Sequence, residues 1–184
     1  MTREEALALV QEKMKSDVLI KHCLATEAIM IRLAEALGED KAKWGLCGLL
    51  HDLDYEETQG NPAEHTLITS EILLERGFTE DVIVAIQEHN AESLGRVRES
   101  TMGIALTAAE SITGLIVAAT LVLSDKKLAN LASKSVRKRM KEKAFAKSVS
   151  RESIMECEKI GQPIESFIDL SIDAMQGISS ELGL

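Results

Sequence analysis

Apolar residues recur at positions i, i+3 and i+4 along most of this 184-residue chain, which is the spacing that places them on one side of an α-helix. Valine, isoleucine and threonine do not alternate with polar residues over any long stretch, so the pattern typical of a half-buried β-strand is missing. Only two prolines interrupt the sequence. We therefore predict an all-α fold of roughly eight to ten helices around a buried site.

The length of the chain and the absence of a linker predict one domain over residues 1–184. Within it, a core of about 20–120 is expected to hold the functional site, and the segment 125–184 is expected to pack on that core as further helices. The helix bounds follow from apolar spacing and from end signals, such as a capping box formed by Thr2 and Glu5 and a C-terminal stop at Gly38. The longer predicted helices cover about 2–15, 17–37, 40–51, 63–76, 79–90, 101–123 and 163–182, with loops at 53–62 and 91–100.

Several classes of protein are disfavoured by composition. No uninterrupted apolar run reaches the roughly 18 residues of a membrane helix. The first 15 residues carry three glutamates and no apolar core, unlike a secretion signal. Three scattered cysteines without a C-x-x-C pair favour free thiols in a reducing cytoplasm over a disulfide framework.

Charge is distributed unevenly along the chain. The formal net charge is −9, which argues against binding to nucleic-acid polymers. Residues 126–147, however, hold nine Lys or Arg and one Glu, so this segment is +8 and the remainder is −17. A cationic segment within an acidic chain is a candidate for contact with an anionic ligand.

Histidine is the residue type that points to chemistry. There are four, His22, His51, His65 and His89, and each lies on or near the end of a different predicted helix. His51 is followed by Asp52 where an apolar run, WGLCGLLHD, meets a polar loop. Imidazole nitrogens and carboxylate oxygens suit Zn, Mn and Fe. Each histidine alone could be a core residue with one backbone partner, but the four together favour a shared metal cluster.

The order of these residues resembles the H…HD…D pattern of the HD-domain superfamily of metal-dependent phosphohydrolases. The resemblance covers about residues 20–120 and is carried by the segments IKHCLATEAIMIRLAEALG, GLLHD, AEHTLITSEILLERG, AIQEHN and AAESITGLIVA. In the last segment Glu110 stands where the family has its final Asp. The chain is thus similar to small uncharacterised members of this superfamily.

The resemblance implies the following roles. His22, His51, Asp52 and Glu110 would bind one divalent ion, which would activate a water molecule and polarise a phosphoryl oxygen. His65 and His89 would hold a second ion together with Asp52, or would donate hydrogen bonds to a phosphate. Asp52 is the expected bridging or basic group, and Glu56, beside Glu57, is a candidate to orient the attacking water.

Three positions differ from the family pattern. Glu110 is one methylene group longer than the expected Asp. Asn90 stands where members with two metals often have a tandem histidine, which favours one ion over two. Asp54 and Tyr55 replace the Gly and Lys typical of the cyclic-dinucleotide phosphodiesterases of the superfamily, which argues against that activity.

The resemblance implies a metal-dependent phosphohydrolase or phosphodiesterase that acts on a small phosphorylated metabolite or nucleotide. The expected cofactor is Mn, Fe, Zn or Mg. Arg137, Lys138 and Lys141 are candidates to bind the substrate's phosphate, unless they form an exposed face that offsets acids elsewhere. Two alternatives stay open: a non-catalytic module that binds a nucleotide or a partner, and a di-iron oxygenase. A cytoplasmic location without membrane contact is expected, and the oligomeric state is open, a homodimer included.

Overall fold

The computed structural model describes residues 1–184 and contains helices and connecting turns without any strand. The prediction of an all-α fold is confirmed. The α-helices are α1 (Arg3–Lys13), α2 (Asp17–Leu37), α3 (Lys41–Leu50), α4 (Tyr55–Thr58), α5 (Leu67–Glu75), α6 (Glu80–His89), α7 (Ala91–Leu94), α8 (Thr101–Leu121), α9 (Ser133–Lys141), α10 (Arg151–Met155), α11 (Ile164–Gln176) and α12 (Ser179–Leu182). Two 3₁₀ helices cover Leu128–Asn130 and Glu156–Ile160.

Helix ends with a local chemical signal lie close to their predicted positions. The Thr2 side chain accepts a hydrogen bond from the Glu5 amide, and the Glu5 carboxylate accepts one from the Thr2 amide, so the predicted capping box starts α1. Helix α2 has the predicted bounds and ends at Gly38, whose φ of 76° is the left-handed conformation that glycine adopts without strain.

Other bounds differ because short helices lie in segments read as loops or as parts of longer helices. Helices α4 and α7, of four residues each, lie in the two predicted loops. Helix α5 begins at Leu67 because residues 62–66 form turns. The last predicted helix is interrupted after Gln176, so that α12 is separate from α11. Eight helices have nine or more residues, in line with the predicted number.

Helix α8 lies at the centre of the fold. Fifteen of its 21 residues are buried, and it packs against α2, α6, α9, α10 and α11. It is also the one helix that is long and apolar enough to cross a membrane, a property that counting uninterrupted apolar residues did not detect. Because 67% of its most apolar window is buried, its composition fits the core helix of a soluble protein.

The close packing of α2 and α3 brings the first two histidines together. At Gly48, a Cβ atom would lie 3.0 Å from the Met30 side chain and 3.1 Å from Glu27 Cα. The absence of a side chain there lets α3 approach the backbone of α2. The end of α3, which carries His51, is thereby held against the first turns of α2, which carry His22.

Candidate metal centre

The four histidines and the aspartate come from four short stretches that meet at one point. His22 lies in α2, His51 is the C-terminal cap of α3, and Asp52 begins the turn that follows. His65 lies in the turns before α5, and His89 is the last residue of α6. Since three of the four histidines are at or beyond helix ends, their side chains can turn inward independently of helical periodicity.

Asp52 lies between two pairs of histidines. Its Oδ2 is 3.4 Å from His51 Nε2 and 3.8 Å from His22 Nε2. Its Oδ1 is 3.3 Å from His65 Nε2 and 3.4 Å from His89 Nε2. The five side chains therefore form two groups of potential ligands, each with two imidazoles and one oxygen of the same carboxylate.

The other ring nitrogen of each histidine already has a hydrogen-bond partner. His51 Nδ1 lies 2.8 Å from the Gly48 carbonyl oxygen, and His89 Nδ1 lies 2.6 Å from the Ile86 carbonyl oxygen. His65 Nδ1 is 2.8 Å from a carboxylate oxygen of Asp54. Because each of these partners only accepts, each Nδ1 carries the proton.

His22 follows the same rule through a hydroxyl group. Its Nδ1 lies 3.0 Å from Thr113 Oγ1, and this hydroxyl donates its own proton to the Glu110 carbonyl oxygen at 2.6 Å. The hydroxyl can then only accept from His22, so the proton of a neutral His22 ring is also on Nδ1.

A neutral form of all four rings would therefore direct four Nε2 lone pairs at an ionised carboxylate. His65 Nε2 and His89 Nε2 are 3.1 Å apart, a distance at which two lone pairs repel unless a cation or a proton lies between them. Nitrogen and oxygen donors in this proportion suit borderline divalent metals, and bonded Nδ1 atoms are the usual outer support of histidine ligands. The residues present thus fit a metal ion.

Burial and mutual contacts set the charges of the metal-free cluster. Burial of His51 lowers its pKa to about 3, so the ring is neutral. Burial also opposes ionisation of Asp52, but the neighbouring histidines outweigh it and hold the pKa of this carboxyl well below its usual value. For His65, burial is outweighed by hydrogen bonds to Asp52 and Asp54, which raise its pKa to about 9. Without a metal, a proton on His65 supplies the positive charge beside Asp52.

Asp54 orients His65 and was not recognised as a site residue from the sequence. One of its carboxylate oxygens accepts from His65 Nδ1, and the other accepts from the Thr69 amide at 3.0 Å. Its amide in turn donates to the Thr69 hydroxyl at 3.1 Å. Burial of Asp54 is outweighed by these bonds, which lower the pKa of its carboxyl. The signal in the sequence that could have identified Asp54 is its position two residues after Asp52, in a D-x-D pattern.

The backbone at the end of α6, where His89 lies, is held by an ion-pair network. Arg98, whose side chain is 5% exposed, donates to the Glu88 carbonyl oxygen at 2.8 Å and forms ion pairs with Glu92 and Glu156. The buried Glu88 carboxylate accepts from the Ser100 hydroxyl and amide at the start of α8. The position of His89 is therefore tied to the start of α8.

The cluster is accessible from the side of His22. The His22 side chain is 23% exposed, whereas that of His51 is 1% exposed. A polar cavity of about 280 Å³ borders His22 and is lined by Glu110 together with four serines, Ser111, Ser148, Ser150 and Ser153. A second cavity of about 340 Å³, largely apolar, borders His22 on the side of α2 and α8.

The structure does not bring the Glu110 and Glu56 carboxylates into the cluster. Glu110 lies beside it, but its Oε1 accepts from the Ser111 hydroxyl at 2.5 Å, and it belongs to neither ligand group. Burial raises the pKa of Glu110. The Glu56 carboxylate accepts from the amides of Lys15 and Ser16, both at 2.9 Å, so it fixes the junction of α1 and α2. These contacts do not support a role for Glu56 in orienting water.

The basic residues chosen as phosphate contacts also lie away from the histidines. Arg137 forms an ion pair with Asp169 at 2.6 Å, and Lys138 is 76% exposed. Arg137 and Lys141 line a different cavity, which has no lining residue in common with the two beside His22. Their charges are balanced by nearby acids or face solvent. This fits the alternative given in the sequence analysis, an exposed face that offsets acids elsewhere.

Asn90, at the position of the tandem histidine, has a structural role. Its side-chain amide donates to the Pro62 carbonyl oxygen at 2.8 Å and to the His65 carbonyl oxygen at 3.0 Å. It therefore holds the turn that carries His65 against the end of α6. The arrangement of two ligand groups around Asp52 is present without a fifth histidine.

Comparison with known proteins agrees with this arrangement. The chain matches the HD domain family over residues 19–122, which include all five clustered side chains, and it belongs to that family. It is 29% identical over 109 residues to an uncharacterised protein of Methanocaldococcus jannaschii, covering 56% of this chain and 63% of the relative. The chain thus spans less than two thirds of that relative's length. No solved structure matches at a significant level.

Proposed function

We propose that the protein is a metal-dependent phosphohydrolase that acts on a small phosphorylated metabolite or nucleotide. The observation that carries this proposal is the convergence of four imidazole Nε2 atoms on the two oxygens of Asp52, beside a polar cavity. Membership of the HD domain family, a superfamily of metal-dependent phosphohydrolases, supports the same reaction class.

The residues of the candidate metal centre would have the following roles. His22, His51 and Asp52 would hold one divalent ion, and Asp52, His65 and His89 would hold a second. Such ions, when bound, supply positive charge that polarises a phosphoryl oxygen and makes water a better nucleophile. Asp54 and Thr113 orient His65 and His22, while the hydroxyl groups of the four serines can donate hydrogen bonds to the phosphate.

The surroundings favour a small substrate over a polymer. The two cavities beside His22 have volumes of about 280 and 340 Å³, and small-molecule sites measure roughly 300–1,000 Å³. The net charge of −9 disfavours a nucleic-acid polymer. Three buried free cysteines accord with a cytoplasmic protein.

A hydrolysis screen tests the proposal. Purified protein is loaded separately with Mn, Mg, Zn or Fe(II) and assayed for phosphate release from monoesters and for cleavage of diesters. We expect activity with at least one metal, and in His51→Ala we expect loss of activity and of the ion held by the group that contains His51. Glu57→Gln, a change on the exposed face of α4, is the matched control.

Two results would overturn it. Stoichiometric metal with background activity on every ester would favour a binding module. Oxygen consumption that requires bound iron would favour oxidative chemistry, for which a carboxylate shared between two ligand groups is also suited.

A further inference from the structure

The apolar cavity beside His22 shares that histidine with the candidate metal centre, and the proposed function assigns it no ligand. We call it the apolar groove. It lies between α2, α8 and the C-terminal residues, and its apolar lining is Val18, Ala25, Val117, Ala118, Leu121, Leu182 and Leu184. Lys21, the residue before His22, is its one charged lining residue. The groove therefore offers mainly apolar contact, with one cation close to the candidate metal centre.

The groove is adjacent to the polar cavity that would receive the phosphate. His22, Thr113 and Gly114 line both. Gly114 contributes no side chain between the two spaces, and His22 is the exposed member of the cluster. A single molecule with a polar end and an apolar end can therefore contact both cavities at once.

The mouth of the groove exposes large apolar side chains. Val18 is 75% exposed and Leu121 is 48% exposed, and both line the groove. Exposed apolar surface next to a reactive site is typical of a binding site whose ligand covers it. A volume of about 340 Å³ suits a short alkyl chain or one ring.

We infer that the substrate is an amphipathic phosphate ester whose alcohol carries a short apolar group, and that this group occupies the apolar groove. The phosphate end of this assignment rests on the proposed function. In the reaction, the oxygen of water bonds to phosphorus while the ester P–O bond breaks. The alcohol leaves with one proton and inorganic phosphate is released, so neither oxidant nor reductant is needed.

The test measures binding separately from turnover. The metal-loaded protein is titrated by calorimetry with the non-hydrolysable phosphonates ethyl-, butyl- and hexylphosphonate, and hydrolysis of the matching phosphate monoesters is assayed in parallel. We expect the Kd to fall by up to about fourfold for each added methylene group until the groove is filled. The kcat/KM of the monoesters should rise in parallel.

Ala118→Phe should fill the groove and remove the dependence on chain length, so that all three phosphonates bind with the same Kd. Ala129→Phe, which adds the same side chain at an exposed position outside the groove, should retain the dependence. If Ala118→Phe does not fold, Leu121→Ser at the exposed mouth should reduce the dependence without filling the groove.

The outcomes separate the two proposals. Equal affinity for all three phosphonates in the wild type would overturn the inference and leave the hydrolase intact. If the Kd depends on chain length but no ester is hydrolysed, the apolar groove still binds an apolar group and the hydrolase proposal is wrong. If Ala118→Phe instead changes the oligomeric state in sedimentation and leaves phosphonate affinity unaltered, the groove is an interface between copies and the inference is wrong.

Discussion

His65 and His89 face each other through their Nε2 atoms, 3.1 Å apart, while the Nδ1 of each ring is bonded to an acceptor. Such a pair is stable only with positive charge between or beside the rings. The charge is a proton on His65 in the metal-free protein and would be a metal ion in the loaded one. The competition between the two gives the first prediction.

The metal-free protein should lose stability between pH 6.5 and 9. The folded pKa of His65, about 9, lies above the ordinary value of 6.5, so its contribution is complete below pH 6.5 and is lost as the pH rises through 9. The difference of 9 − 6.5 corresponds to on the order of 3 kcal/mol in the free energy of unfolding. Urea unfolding in the presence of a chelator at several pH values measures the free energy of unfolding. In His65→Gln this free energy should depend less on pH. A rise in stability over this range would contradict it.

Asp52→Ala should remove metal from both ligand groups, because one oxygen of Asp52 faces each pair of histidines. His89→Ala should affect only the group that contains His65. Elemental analysis after reconstitution and desalting measures the stoichiometry. Equal loss of metal in the two variants would mean that the groups do not bind separately.

Asp54→Asn should weaken metal binding roughly 10–100-fold in the group that contains His65, because the carboxylate orients the ring and favours its Nδ1–H form. Thr113→Val removes the corresponding support of His22 and should weaken binding in the other group. Competition with a chromogenic chelator measures both affinities. The assignment fails if Asp54→Asn binds metal as tightly as the wild type.

Glu56→Ala should lower the free energy of unfolding by about 1–2 kcal/mol, because the Lys15 and Ser16 amides lose their charged acceptor. Its kcat should remain that of the wild type under conditions where both are folded. Glu57→Ala, on the exposed face of the same helix, is the control for both measurements. A large fall in kcat with unchanged stability would restore the catalytic role predicted from the sequence.

Glu110→Gln should retain the metal content of the wild type, because the Glu110 carboxylate bonds to Ser111 and lies outside both ligand groups. Gln preserves the shape of the side chain and its hydrogen bond, so any change reports the loss of charge. Elemental analysis is again the measurement. Loss of one equivalent of metal would restore Glu110 as a ligand.

The sequence predicted features that depend on local chemistry. The capping box at Thr2 and the glycine stop at Gly38 are set within a few residues, and both are confirmed. The grouping of the four histidines followed from their position at helix ends and from the family pattern. The structure brings all four around Asp52.

Features that depend on distant contacts could not be predicted in this way. The position of Glu56 shortly after Asp52 in the chain makes it a candidate catalytic group, but its hydrogen-bond partners are 40 and 41 residues away. The basic segment makes Arg137 a candidate for a phosphate ligand or for an exposed charge that offsets an acid, and its ion pair with Asp169 on another helix favours the second. Whether a charge is available to a ligand depends on tertiary neighbours, which periodicity does not report.

The carboxylate of Glu88, directly before His89, leaves no room beside the first turn of α8. Even a methyl group at Gly103 would overlap with that carboxylate and with Glu88 Cβ. A change from Gly103 to Ala would thus force Glu88 to release the Ser100 hydroxyl and amide that it binds. Gly103 lines neither of the cavities beside His22, yet this one missing side chain limits how the chain can vary without disturbing its reactive residues.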